Sequence, residues 1–271
     1  MAVKPLYLNF FEFLGQMGKE DPWLAYQRLY IQPHLNFFEA YWKTFNHFDS
    51  PQIAARVRKI KEEDYGQLRS LVQSQDPAVL AEAALNRCRG TLPLNPEPLV
   101  YLFVGFFSAD GTTLEVEGWP SIALGLERFK DFKDLPLLVS HEYCHCAQRS
   151  LLRNFFPPQE RPLLFFIVAE GLSVLFSEVV YPEIPLHRHL FLTPERLQWC
   201  QEKPGGTAGV GRSRFGFGKT RSDLFRTWRC QCRPTTAHRV FCGPADAGTL
   251  PNPPRSGRFW PRISWFRRII S

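Results

Sequence analysis

The pentapeptide His141-Glu142-Tyr143-Cys144-His145 lies in a run from Asp134 that no helix breaker interrupts until Pro157. Pro136 falls where a first helical turn tolerates proline, so the run reads as a helix of about six turns. Residues four apart sit about 40° apart around such a helix, one turn above the other, and both imidazoles face one way. Two neutral imidazoles so placed can share one zinc ion at ~2.0–2.1 Å. Glu142 projects beside them, close enough to act on a water without being a ligand. An H-E-x-x-H pattern arises by chance in roughly one chain of this size per hundred, so the flanks matter. Val139, Ser140, Tyr143, Cys144 and Cys146 are all uncharged. The motif therefore belongs to a buried helix, where two imidazoles and a carboxylate are costly unless paired or bound to metal.

A hydrolytic zinc site needs a third protein ligand and an open fourth position. Cys146 to Asn154 contains neither glycine nor histidine, so the third ligand does not follow closely. A glutamate from a second helix is the other solution. The apolar run Phe165 to Phe176 carries one carboxylate, Glu170, 25 residues beyond His145. That separation leaves room for the first helix to end, a Pro157-Pro158 turn and an antiparallel return. Glu178, about 80° round the helix from Glu170, is an alternative ligand or a group that orients a histidine. Tyr181, His187 and His189 come next and are candidate donors to a developing oxyanion, or members of a polar loop around Pro182 and Pro185. Leu163 to Val180 has the length of a membrane span, but an acid at its centre costs ~2.5–3.5 kcal/mol. Membrane insertion is not expected.

Upstream, Asp21-Pro22, Ser50-Pro51 and Asp76-Pro77 each pair a capping side chain with a proline that has no N–H to lose. They predict a helix from Pro22 through Tyr30, broken near Pro33, then helices over residues 35–45, 53–72 and 79–88. The apolar run Leu99 to Phe107 predicts a buried strand. Asp110-Gly111 signals a turn, and residues 112–116 and 119–126 read as two more strands. A small sheet between helical blocks gives an α+β class.

Composition bounds the rest. The chain has 271 residues, 44% apolar and 14% aromatic, ample for a buried core. Its net charge of +7 is misleading, because residues 201–271 hold twelve Arg and two Lys against three acids, a net +11, leaving −4 for the first 200. After Lys203 there are nine glycines, no tyrosine and no sustained periodicity. This segment is expected to be an out-of-frame translation of GC-rich coding DNA. Its other readings are an electrostatic RNA or single-stranded DNA binder, or a zinc knuckle from Cys230, Cys232, His238 and Cys242. Neither is favoured, and nucleic acid is not the expected partner. Seven cysteines at irregular spacing, with no secretion signal at the start, read as reduced thiols in a cytoplasmic protein.

The stretch Ile122-Ala123-Leu124-Gly125-Leu126-Glu127, the His141-Glu142-Tyr143-Cys144-His145 helix and Ala169-Glu170-Gly171-Leu172 resemble the predicted Zn-dependent protease family catalogued as domain of unknown function 2268. Trp23 and Tyr26 in the helical N-terminal region are similar in style, and the resemblance covers about residues 20–200. It implies a zincin-like fold of the gluzincin type, with His141, His145 and Glu170 as zinc ligands and Glu142 as catalytic base. The expected organisation is a helical region over 1–95, a zincin-like core over 96–200 and the anomalous basic tail over 201–271. The expected function is zinc-dependent hydrolysis of a peptide or protein substrate. The alternatives are a nucleic-acid binder acting through the tail and a catalytically inactive zinc-binding scaffold.

Overall fold

The computed structural model describes residues 2–45, 50–106, 109–152 and 163–202. The expectations for the Pro157-Pro158 turn and for everything after Glu202 lie outside those residues.

Four short strands make one mixed sheet: β1 (Val3–Pro5), β2 (Leu99–Phe103), β3 (Gly111–Val116) and β4 (Trp119–Gly125), in the order β1-β2-β4-β3. β1 and β2 are parallel, as are β2 and β4, while β3 runs antiparallel to β4 at the sheet edge. Val116 pairs with Trp119 across Glu117 and Gly118, which take φ 51° and 81°. Positive φ at both central residues makes this the two-residue turn whose twist matches the flanking strands. Val100, Leu102, Ile122 and Leu124 are wholly buried, as their unbroken apolar runs require of strands covered on both faces.

The N-terminal helices are α1 (Tyr7–Leu14), α2 (Pro22–Tyr26), α3 (Leu35–Phe45), α4 (Ser50–Val57), α5 (Gly66–Ser74) and α6 (Pro77–Thr91). Two of the expected caps form: Asp21 accepts from the N–H groups of Trp23 and Leu24, and Asp76 from those of Ala78 and Val79. Such a cap contributes about 1 kcal/mol. The α-helix is interrupted around Pro33, as expected: α2 ends at Tyr26, Gln27–Ile31 widens into a π turn and Gln32–His34 tightens into a 3-10 turn before α3. One expectation is corrected. Residues 53–72 are not one helix, because α4 ends at Val57 and a 3-10 turn at Glu62–Tyr65 precedes α5. β1 and α1 carry no cap or turn signal, and neither was expected.

Aromatic rings knit these helices to the sheet. Phe10 meets Tyr30 at 5.3 Å and Tyr65 at 4.8 Å, and Phe37 stacks on Tyr101 at 4.6 Å. The Tyr30 hydroxyl donates to the Val104 carbonyl at 3.0 Å and accepts from the Val104 N–H at 2.8 Å, closing the end of β2. One buried cluster runs from Val3 to Tyr181, so the first residues and the later helices share a core.

The later helices are α7 (Leu135–Leu152), α8 (Leu163–Val180), α9 (Leu186–His189) and α10 (Pro194–Glu202). α7 packs against α6 and α8 and lies across β3 and β4. Tyr143 stacks flat on Phe176 of α8 at 5.9 Å, and its hydroxyl donates to the Leu92 carbonyl at 2.8 Å. Burying one such ring contributes ~1.5–3 kcal/mol. Cys88, Cys144 and Cys146 are buried free thiols. Among the described residues no helix is long and apolar enough to cross a membrane.

Candidate metal centre

The arrangement of α7 and α8 against the sheet decides where their few polar side chains meet. Val139, Ser140, Tyr143 and Cys146 are buried on α7, so the register that buries them also fixes the histidines. His141 Nε2 and His145 Nε2 lie 3.2 Å apart. Glu170 Oε2, from α8, lies 3.2 Å from the first and 3.6 Å from the second. Among the described residues these three side chains form a group that could hold a metal ion, their donor atoms all within 4.8 Å of one another.

The spacing fits a metal better than it fits protons. Donors on a tetrahedron with bonds of ~2.0–2.1 Å stand about 3.3–3.4 Å apart, close to the distances found here. Protons serve the group poorly. His145 Nδ1 faces Gln148 Oε1 at 3.0 Å, an acceptor that requires an N–H there. With its proton on Nδ1 a neutral ring has no N–H at Nε2 for Glu170, so only the doubly protonated imidazolium serves both neighbours with protons. His141 Nδ1 is buried and has no hydrogen-bond partner among the described residues.

The charges respond accordingly. Burial alone would raise the Glu170 carboxyl pKa, but hydrogen bonds from His141 and His145 outweigh it and hold the group well below the ordinary carboxylate range. Burial likewise pulls the His145 pKa down, and is outweighed by the bond to Glu170 and the charges of Glu142 and Glu170, so the net shift is upward. The group as a whole attracts positive charge.

Two residues brace it that sequence reasoning missed. Gln148 Nε2 donates to the Ala169 carbonyl at 2.8 Å and to Ser173 Oγ at 3.3 Å while its Oε1 meets His145. Ser173 Oγ stands 3.2 Å from His145 Nδ1 and donates to the Ala169 carbonyl at 3.1 Å. Gln148 is three residues after His145 and Ser173 three after Glu170, so helical spacing is the signal that finds both.

Glu142 is buried on the sheet side of α7. A Cβ built on Gly111, the first residue of β3, would lie 3.1 Å from Glu142 Oε1 and 3.1 Å from Leu138. Glycine there gives the carboxylate its room.

The remaining sequence candidates are not brought to the triad by any contact. Glu178 lines a shallow depression with Leu175, Val179 and Pro182. Tyr181 is buried beneath the Arg87 guanidinium, 4.0 Å from its ring centre, and burial lifts its hydroxyl to about 12. His187 is half-buried on α9. His189 is buried between Ser177 Oγ, 2.9 Å from Nδ1, and the Ile184 carbonyl, 3.1 Å from Nε2.

No family model, no curated protein and no solved structure matches this chain.

Proposed function

We propose that this protein is a zinc-dependent metallopeptidase of zincin-like architecture, with His141, His145 and Glu170 as the metal ligands and Glu142 as general base. The observation that carries this reading is the convergence of two imidazole nitrogens and a carboxylate oxygen within 4.8 Å on two packed helices. A set of two nitrogens and one oxygen suits zinc, and three protein ligands leave a fourth position open, as in hydrolytic rather than purely structural sites. The resemblance to the predicted Zn-dependent protease family supports the same assignment.

A zinc ion held there supplies Lewis acidity toward a carbonyl oxygen and acidifies water toward neutrality. The chain does the rest. Glu142, one residue after His141, accepts the proton of the attacking water and hands it to the leaving amine nitrogen. Gln148 and Ser173 fix the His145 ring so that Nε2 faces the site. β3 forms the sheet edge and passes Glu142 at Gly111. An extended peptide adding to that edge would bring its backbone beside the base.

The test is hydrolysis of an internally quenched peptide pool by the full chain loaded with zinc. Cleavage is expected to stop with a chelator and return with added zinc. Glu142→Gln is expected to lower the rate by ~10²–10⁴ with zinc still bound. A folded, zinc-loaded protein that cleaves nothing in the pool would contradict peptidase activity and favour the inactive zinc scaffold.

A further inference from the structure

Phe191 occupies a backbone position that favours glycine. At the end of α9 the Leu192 N–H donates to the His187 carbonyl at 2.8 Å and the Phe191 N–H to the Arg188 carbonyl at 3.0 Å. These are the paired bonds of a Schellman close, which puts one residue in the left-handed region. Phe191 is that residue, at φ 52°. A bulky side chain is disfavoured there, whereas glycine meets no clash.

The neighbours hold the strain in place. Arg188 donates twice to Asp134 Oδ1, at 2.5 and 2.9 Å, and once to the Lys133 carbonyl at 3.1 Å, fastening α9 to the start of α7. The bonds of His189 to Ser177 and Ile184 fasten it to α8 and the loop after it. Strained residues persist where their surroundings over-determine them, and they gather at functional sites.

Phe106 offers a contrast, because it too has a positive φ, 54°. Its ring lies 5.8 Å from Tyr26 and 6.5 Å from Phe10, inside the N-terminal aromatic core, so packing accounts for it. Among the described residues the Phe191 ring has one ring neighbour, the His141 imidazole, edge-on at 6.2 Å. Phe191 packs against the edge of the core and stays partly exposed. The triad is thus bounded by bare backbone at Gly111 on the Glu142 side and by an aromatic ring on the His141 side.

We infer that Phe191 is a specificity-determining residue, the apolar wall against which a bulky apolar side chain of the ligand, Leu- or Phe-like, packs while the ligand's polar atoms face His141, His145 and Glu170. This inference rests on the metal-centre reading of those three residues.

The experiment uses the full chain loaded with zinc, as wild type, Phe191→Gly and Phe191→Leu. The probes are acetohydroxamate and 3-phenylpropionohydroxamate, titrated by calorimetry, with zinc affinity and the melting temperature of the metal-free proteins measured alongside. Wild type is expected to prefer the phenyl compound by about tenfold, the gain of one added ring contact. Phe191→Gly should bring the two within about twofold while zinc affinity holds and the melting temperature does not fall, because glycine relieves the backbone. Phe191→Leu should keep most of the preference. An unchanged preference in Phe191→Gly would overturn the inference. So would a lower melting temperature with both probes weakened alike, since the ring would then be core packing. Zinc-loaded wild type that binds neither probe, or both equally, would overturn it as well. Wild type that takes up no zinc would defeat the metal-centre reading itself, and this inference with it, before any probe is added.

Discussion

His189 and His141 are both buried histidines, and the protein treats them in opposite ways. His189 has a partner for each ring nitrogen, Ser177 Oγ at one side and the Ile184 carbonyl at the other. Among the described residues His141 has no partner at Nδ1, and its Nε2 is turned toward a second imidazole and a carboxylate. The first arrangement is complete with protons and carbonyls alone and ties α9 to α8. The second brings together acceptors that a cation would satisfy. Burial of a histidine therefore says little by itself; the partners of its two nitrogens separate a structural ring from a ligand.

Substitutions can sharpen that contrast. Metal affinity is the first readout, and Gln148 is where it should respond. Gln148→Leu removes the acceptor that orients His145 while keeping the volume, and zinc affinity should fall ~10–100-fold in a chelator competition. Gln148→Glu should restore most of it, since a carboxylate also accepts from Nδ1. Unchanged affinity in Gln148→Leu would mean that the His145 tautomer is not set there.

Next comes Gly111→Val. Its side chain must displace Glu142 or Leu138, so peptide hydrolysis should drop by ~10²-fold, the cost of misplacing a catalytic group by about an ångström. Bound zinc should be unaffected. Full activity would show that Glu142 does not need that space.

His189→Ala should do the reverse. Removing the ring strands the Ile184 carbonyl, while Ser177 Oγ keeps its bond to the Val174 carbonyl, and stability should fall by ~1–3 kcal/mol in urea unfolding, while zinc per folded chain stays constant. Loss of zinc without loss of stability would erase the distinction between the two kinds of histidine.

The smallest effect is in pH. Glu170 titrates well below its ordinary 4.5, so its stabilisation is complete above that value and is lost as pH falls through the depressed one. His145 titrates above its ordinary 6.5, so its stabilisation is complete below 6.5 and is lost as pH rises through the raised value. In metal-free protein the pair therefore stabilises most between about pH 4.5 and 6.5. Zinc replaces the proton, so the alkaline decline should vanish in the loaded protein, and metal should instead be lost on acidification. Melting temperatures across pH, with and without chelator, check both limbs.

Much of this contrast was legible in the sequence, for identifiable reasons. His141, Glu142 and His145 share one helix, where spacing alone fixes their relation, and Glu170 was the single acid in an apolar run that had to return beside it. The α+β class followed from equally local signals at Asp21, Asp76 and Leu99. What was hidden depends on contacts distant in sequence. The role of Gly111 arises from packing of β3 under α7, and β1 exists only because Val3 meets Val100. His189 looked like a site residue because sequence shows a histidine near the site but not which partners its nitrogens find. Phe191 gave no signal, since its strain belongs to a turn whose geometry is set by Arg188 and Asp134.

The central claim is that His141, His145 and Glu170 form one metal centre. Elemental analysis of zinc in the purified full chain, compared with His145→Ala and Glu170→Gln, tests it most directly. About one zinc per chain in wild type, and far less in both variants while each remains folded, is the predicted result. A folded wild type that binds no zinc, or zinc retained in full by both variants, would contradict it.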